Sequence, residues 1–326
     1  MDTWVDQLHA RASIVHGQIS AWMAAMQASQ NSGITPEQMR AALRPFYDVL
    51  SKLYSEDLPI AQVKDASDIV IHAEGPAAIG STMQLRAVNW LSAKVKQQLI
   101  LLAEAALPAN GDAHAIAKKV QWNVTGVAPG SIFMGFAVDR PPSRAGFEES
   151  DQAALDSIVR AAQSVPIVPQ FMDQGYVDQG LTEALTDPAI RDAAMFAAMR
   201  LSPTDASGLV TVEVTSSTGE YGILGQRERI ILKDSLRSPL FGKKLDGSFV
   251  GEVREIDLDA GRFQLRNIDH VGSLRCAADF SQDDGRLWLG KTVKVTGVYE
   301  TDKSGRPRLM RAEKIEPSVP RQSELH

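Results

Sequence analysis

Residues 119–138 read KVQWNVTGVAPGSIFMGFAV, and this stretch decides the fold because it holds the clearest strand pattern in the chain. Val120, Trp122 and Val124 alternate with polar residues, which is typical of a strand with one face on a core. Residues 131–138 are apolar on nearly both faces, which indicates a strand further inside a sheet. The intervening APGS places Pro and Gly where a type II turn needs them. The stretch therefore predicts an antiparallel β-hairpin.

Helical periodicity lies on both sides of the hairpin. Helices are predicted at about 82–107, 150–164, 187–200 and 226–237, and strands at 67–72 and 209–215. Because strands and helices alternate while at least one pair of strands is antiparallel, an α+β layer structure is favoured over a doubly wound parallel sheet. Residues 67–238 are accordingly predicted to form a central α/β layer domain.

The N-terminal part, residues 1–66, is predicted to be helical. Its first helix carries an apolar seam with alternating steps of three and four residues. The seam consists of Val5, Leu8, Ala12, Val15, Ile19, Trp22 and Met26. It fits either packing against the protein's own body or a homodimer formed through residues 3–28. A second helix begins with Thr35 and Pro36, and Pro45 predicts a kink or two short helices.

The last part of the chain changes to strands alone. Five are predicted, at 249–256, 262–268, 273–278, 292–299 and 308–315, with a short helix between the third and the fourth. That order of elements resembles an OB-fold β-barrel, with an SH3-like barrel as the alternative. Residues 247–316 are therefore predicted to be an OB-like barrel that folds independently, joined through 238–247. Residues 317–326 are predicted to be a disordered tail.

Composition sets limits on the class of protein. The chain has 326 residues, 44% of them hydrophobic and 23% charged, which is ordinary for a globular protein of two or three domains. The single Cys276 cannot form an internal disulfide. No apolar run is long enough for a membrane span, and no signal peptide is recognisable. These features predict a cytoplasmic protein without membrane contact.

Charge is distributed unevenly. The net charge is −6, which argues against coating nucleic acid by bulk charge. From Phe241 onward 15 Lys and Arg stand against 14 Asp and Glu, a net of +1 that leaves −7 for the first 240 residues. The turn between the last two predicted strands is the basic part of the barrel. Lys303, Arg306 and Arg308 are therefore the predicted nucleic-acid-binding residues, giving weak and salt-sensitive binding.

Few residues are candidates for catalysis, phosphate binding or metal binding. Arg11 and His16 have a spacing that resembles the catalytic motif of HEPN ribonucleases, but five residues place the two side chains about 140° apart on a helix. The loop at 74–81 precedes a helix but has no Lys to reach a phosphate. No His pairs with Cys or a carboxylate at ligand spacing. Ser131 lacks the Gly-x-Ser-x-Gly elbow, and the sequence does not locate an acid or a His for it.

Three hypotheses for function follow. The first is a non-enzymatic, cytoplasmic recognition or accessory protein that binds a protein partner, because no catalytic, cofactor or metal set is evident. The second is a weak nucleic-acid-binding protein that acts through the barrel. The third is a hydrolase whose site is assembled from distant residues.

Overall fold

A computed structural model shows a mixed helix-and-sheet protein, which confirms the α+β class. It describes residues 3–28, 35–78, 83–107, 113–128, 131–140, 149–173, 175–258, 261–279 and 281–318. The APGS turn at Pro129 and Gly130 and part of the 74–81 loop lie outside these ranges. Of the predicted tail, only Pro317 and Ser318 lie within the described ranges. Pro317 is the last residue of the last strand and does not begin a tail.

The N-terminal region is a group of helices. It contains α1 (Trp4–Ala28), α2 (Pro36–Lys52), a π-helical turn (Leu53–Asp57) and α3 (Leu58–Asp65). Thr35 caps α2 through a reciprocal capping box with Gln38. Helix α2 continues through Pro45, so the predicted division into two helices is wrong. Ala41, whose carbonyl loses its bond at Pro45, is exposed, so water can satisfy that carbonyl.

The seam of α1 packs inside the protein. Leu8, Ala12, Ile19 and Met26 are buried in a cluster with Leu43 and other apolar residues of α2 and α3. Trp22, the sixth position of the seam, is 49% exposed. Intramolecular packing therefore accounts for most of the seam.

The central layer is a five-stranded antiparallel sheet. Its strands are β1 (Ile69–Glu74), β2 (Trp122–Ala128), β3 (Ile132–Val138), β6 (Thr211–Ser216) and β7 (Tyr221–Leu224), in the order β2-β3-β1-β6-β7. The predicted hairpin is present as the pair β2 and β3, and β3 lies inside the sheet as expected. Since β2 is an edge strand, its Val124 is 54% exposed instead of buried.

The two faces of the sheet are covered differently. Ile69 and Ile71 belong to the main core with the apolar residues of α4 (Leu85–Ala106) and α8 (Pro188–Leu201). The other face carries Val70 and Phe133, which pack with Val63 of α3. The further elements are α5 (Ala113–Lys119), α6 (Glu149–Gln163), β4 (Met172–Asp173), β5 (Tyr176–Val177), α7 (Leu181–Ala184), α9 (Gln226–Arg237) and 3-10 turns at Val165–Phe171 and Asp205–Ser207. The sequence predictions omitted β7 and α5.

The C-terminal strands close into a barrel. They are β8 (Leu245–Asp257), β9 (Arg262–Ile268), β10 (Gly272–Ala277), β11 (Thr292–Thr301) and β12 (Pro307–Pro317), with α10 (Gln282–Trp288) between β10 and β11. The order around the barrel is β10-β12-β11-β8-β9. The β10–β12 pair is parallel, and the other pairs are antiparallel. Leu265, Cys276, Val295 and Met310 fill the interior.

Candidate functional site

The outer face of β9 and β10 meets α8 of the central layer through a buried charge cluster. Arg262 donates to Asp192 Oδ1 from Nε at 3.2 Å and from Nη2 at 2.8 Å. Arg275 Nε donates to Asp192 Oδ2 at 3.2 Å. Asp192 is 2% exposed and Arg262 is 6% exposed. One carboxylate therefore holds two arginines of the barrel against the central layer.

More ion pairs cross the same junction. Arg266 Nη2 lies 3.2 Å from Glu104 Oε1 of α4, and it also pairs with Glu255 at 3.0 Å. Arg191 of α8 pairs with Glu300 of β11, and both side chains are buried. The barrel arginines on this face are thus neutralised by carboxylates, most of which belong to the central layer.

Asp192 is ionised in this arrangement. Burial by itself would raise its pKa, but the charges of Arg262 and Arg275 and their hydrogen bonds outweigh burial and lower the pKa. Arg262 Nη1 is buried and has no hydrogen-bond partner among the described residues. A cavity of about 480 Å³ adjoins these arginines, with Leu101, Phe196 and Leu289 among its apolar lining.

The three predicted nucleic-acid-binding residues do not share one environment. Lys303 is exposed and Arg306 is half-buried, in the turn between β11 and β12. Arg308 is only 8% exposed, so its predicted exposure is wrong. It donates to the Ala105 carbonyl and lies 3.6 Å from Asp187. The reason is that Arg308 already belongs to β12, where its side chain faces the central layer.

Asp302 also weakens the basic character of that turn. Its Oδ1 accepts hydrogen bonds from Ser304 N, Ser304 Oγ and Arg306 N. Partial burial raises its pKa, but the hydrogen bonds from Ser304 and Arg306 outweigh that effect and lower the pKa. An ionised carboxylate therefore lies among the exposed cations of the turn.

A polar cluster lies on the face of the central sheet that α3 partly covers. His72 of β1 is opposite Phe133 of β3 and Glu213 of β6 in the strand register. His72 Nε2 is 2.7 Å from Ser131 Oγ, and His72 Nδ1 is 3.8 Å from Glu213 Oε2. Glu74 Oε1 lies 3.6 Å from Nε2. The structure thus brings together a hydroxyl, an imidazole and two carboxylates.

The electrostatics of this cluster favour an ionised Glu213. Interaction with His72 is the main cause that lowers the pKa of Glu213, and it outweighs the effect of partial burial. The His72 ring lies 5.7 Å from the Phe133 ring, tilted by 52°. The sequence did not reveal this cluster because its members come from three strands that are distant in sequence. Only the pairing of these strands, which a single sequence does not show, brings their side chains together.

An apolar groove lies between α1 and α2. It is lined by Met23, Met39, Leu43 and Tyr47, with charged residues around them, and has a volume of about 690 Å³. Met23 is 40% exposed and Tyr47 is 52% exposed. Exposed Met and Tyr side chains beside a concave surface are typical of protein-binding surfaces.

The other sequence candidates gain no support as sites. Arg11 and His16 are both exposed on α1. Among the described residues, no group of three or more His, Cys, Asp and Glu could hold a metal ion. No helix within the described ranges is long and apolar enough to cross a membrane.

No protein-family model matches this chain, and no curated protein matches it at a significant level.

Proposed function

We propose that the protein recognises another protein through the groove between α1 and α2. The observation that carries this proposal is the concave apolar surface formed by Met23, Met39 and Tyr47, which no other described residue fills. Flexible Met side chains adapt to an apolar partner, and a Tyr adds a large contact area with a polar end.

The rim of the groove indicates the chemistry of the partner. Arg40 and Arg44 lie at the groove together with Glu37, and Arg44 pairs with Asp48, so the two signs of charge are balanced there. A helical segment with an apolar stripe and charges of both signs at its flanks would match the floor and the charged residues around it. A second copy of this chain, bound through residues 3–28, is the self-association version of the same proposal.

Nucleic-acid binding through the barrel has less support. The strand order and the position of α10 favour an OB-like barrel, and in such barrels the face of the second and third strands binds oligonucleotides. Here that face is formed by β9 and β10, whose Arg262 and Arg275 are paired with Asp192. A nucleic acid would have to displace α8 to reach them. A cytoplasmic location remains part of the proposal.

Photo-crosslinking tests the groove directly. The photoreactive residue p-benzoylphenylalanine would replace Tyr47 in the full chain, expressed in cells of the source organism. Tyr176 is the matched control, because it is the same residue type and is 53% exposed, against 52% for Tyr47. We expect a discrete protein adduct at position 47, which is absent at position 176.

A substitution in the groove tests whether the adduct depends on this surface. Met23→Glu places a charge in the groove and should remove the adduct while leaving the thermal midpoint unchanged. An adduct with the mass of two chains would support self-association through residues 3–28, and one with a different protein would support a separate partner. The absence of any adduct at position 47, or the same adducts at 176, would contradict the proposal.

A further inference from the structure

We propose that Ser131 is a nucleophile for acyl transfer from esters, with His72 as its general base and Glu213 as the residue that positions His72. This activity uses a different surface from the protein-binding groove and does not depend on it. The geometry that carries it is the 2.7 Å contact between Ser131 Oγ and His72 Nε2, with Glu213 on the opposite nitrogen of the ring.

The two nitrogens of His72 have different surroundings. Glu213 is ionised and lies nearest to Nδ1, so it favours the tautomer that carries its proton on Nδ1. Glu74 lies 3.6 Å from Nε2 and favours the opposite tautomer, but its side chain is 63% exposed, against 34% for Glu213, so solvent screens its effect more strongly. The lone pair of Nε2 then faces the Ser131 hydroxyl, as general-base catalysis requires. The separation of 3.8 Å between Nδ1 and Glu213 is longer than a hydrogen bond, and contacts of this kind tighten when substrate binds.

The scaffold holds His72 and Glu213 on strands inside the sheet. Direct pairing of β1 with β6 fixes the distance between them, and rigid strands hold a site more precisely than loops do. Ser131 lies directly before β3, at the end of the hairpin. The His72 side chain is 25% exposed, which leaves the ring accessible from solvent.

An apolar surface adjoins the polar cluster on the same face. Ile223 of β7 is directly opposite Glu213, and Tyr221 is two residues before it. These side chains are 51% and 62% exposed, respectively. They offer contact to the apolar acyl chain of a small ester, so the substrate class is a carboxylic ester with a short apolar acyl group.

The reaction balances with water as the only co-reactant. A lone pair of Ser131 Oγ forms a bond to the acyl carbon while the hydroxyl proton moves to His72 Nε2. The bond from the acyl carbon to the leaving oxygen then breaks, and that oxygen takes the proton from Nε2. Water repeats the sequence on the acyl-serine, which releases the carboxylic acid and restores Ser131.

A fluorophosphonate probe tests the nucleophile in the full chain. Intact-mass analysis should show one adduct per chain, and peptide mapping should place it on Ser131. Ser131→Ala should remove the adduct at an unchanged thermal midpoint. His72→Gln should slow labelling by about 100-fold, the usual contribution of a general base. The absence of an adduct on folded wild-type protein, or labelling that persists in Ser131→Ala, would overturn the proposal.

The two carboxylates provide a matched comparison for the positioning role. Glu213→Gln and Glu74→Gln each remove one negative charge near His72, so the two variants are matched in charge. Lys64 of α3 remains near position 213 in both variants. Only Glu213→Gln should lower the plateau rate of labelling, by about tenfold or more, because the tautomer is no longer fixed. Equal plateau rates in the two variants would rule out the assigned role of Glu213.

Discussion

Asp192 and Arg262 share two hydrogen bonds across the junction between α8 and the barrel, at 3.2 Å and 2.8 Å to the same carboxylate oxygen. The pair is nearly inaccessible to water, since the two residues are 2% and 6% exposed. A buried charge of either sign needs its partner, because desolvation is costly and only the opposite charge offsets it. The junction is therefore sensitive to the loss of a single carboxylate.

Asp192→Ala should strongly destabilise the protein. The substitution leaves the buried Arg262 and the partly buried Arg275 without their shared partner, which we expect to cost about 3–5 kcal/mol of unfolding free energy. Asp48→Ala is the control, because Asp48 pairs with Arg44 at 3.9 Å on the surface and should lose less than about 1 kcal/mol. Urea denaturation followed by circular dichroism measures both. Equal losses would show that the Asp192 cluster is not a buried, coupled unit.

Acid should weaken the same cluster. Because the folded-state pKa of Asp192 is lowered, this carboxylate contributes stability above its unfolded pKa of about 4, and that stability is lost as the pH falls through the folded value. Unfolding free energies at pH 7 and pH 3 should therefore differ more in the wild type than in Asp192→Asn. A pH dependence that is the same in both proteins would contradict this assignment.

Charge reversal should destabilise the protein at Arg308 but not at Lys303. Arg308→Glu places a carboxylate beside the Ala105 carbonyl and Asp187, and should cost about 2 kcal/mol or more. Lys303→Glu changes an exposed turn residue and should stay within about 0.5 kcal/mol. Thermal unfolding of the two variants provides the comparison. A stable Arg308→Glu protein would place this side chain in solvent, as the sequence first indicated.

The isolated barrel should bind single-stranded nucleic acid better than the full chain does. A fragment of residues 243–318 exposes Arg262, Arg275 and Arg308, whose partners in the central layer are absent from it, whereas Arg266 keeps Glu255. Three phosphate contacts imply a slope of log K against log salt of about −2. Fluorescence anisotropy with a labelled oligonucleotide, at two salt concentrations, measures this slope.

Two controls accompany the barrel fragment. Circular dichroism must first show a cooperative transition, and an unfolded fragment would contradict the prediction that residues 247–316 fold independently. Arg262→Glu together with Arg275→Glu should remove binding by the fragment, because both arginines lose Asp192 there. Equal binding by the fragment and the full chain would show that the central layer does not mask this face.

Local sequence patterns predicted the helices and strands better than they predicted the contacts between them. The hairpin, the capped helix at Thr35 and the five C-terminal strands follow from local patterns of apolar residues, Pro and Gly, which depend on neighbours in the chain. The strand β7 was missed because four residues, YGIL, are too short to establish a period. Pro45 does not divide α2 into two helices, because the Ala41 carbonyl that loses its bond lies on an exposed turn.

The candidate sites could not be predicted because they depend on long-range register. Ser131 was recognised as lacking the usual elbow, but His72 and Glu213 join it only through the pairing of β1 with β3 and β6. Arg308 was correctly predicted to begin the last strand, but its side chain was taken to face solvent beside the turn. Its burial depends on where the barrel lies against α4 and α8, and no local pattern contains that information.

Closure of the barrel has a kinetic consequence. The parallel pair of β10 and β12 joins Cys276 to Met310, while β11, between them in sequence, pairs with β12 and β8. We expect the pairing of β10 with β12 to form after the hairpins, because the long chain segment between these strands must first be ordered, and such non-local contacts slow folding. The Cys276 thiol is fully buried in the closed barrel. During refolding, its loss of reactivity toward a thiol reagent would therefore time the final closure, separately from the earlier formation of the hairpins.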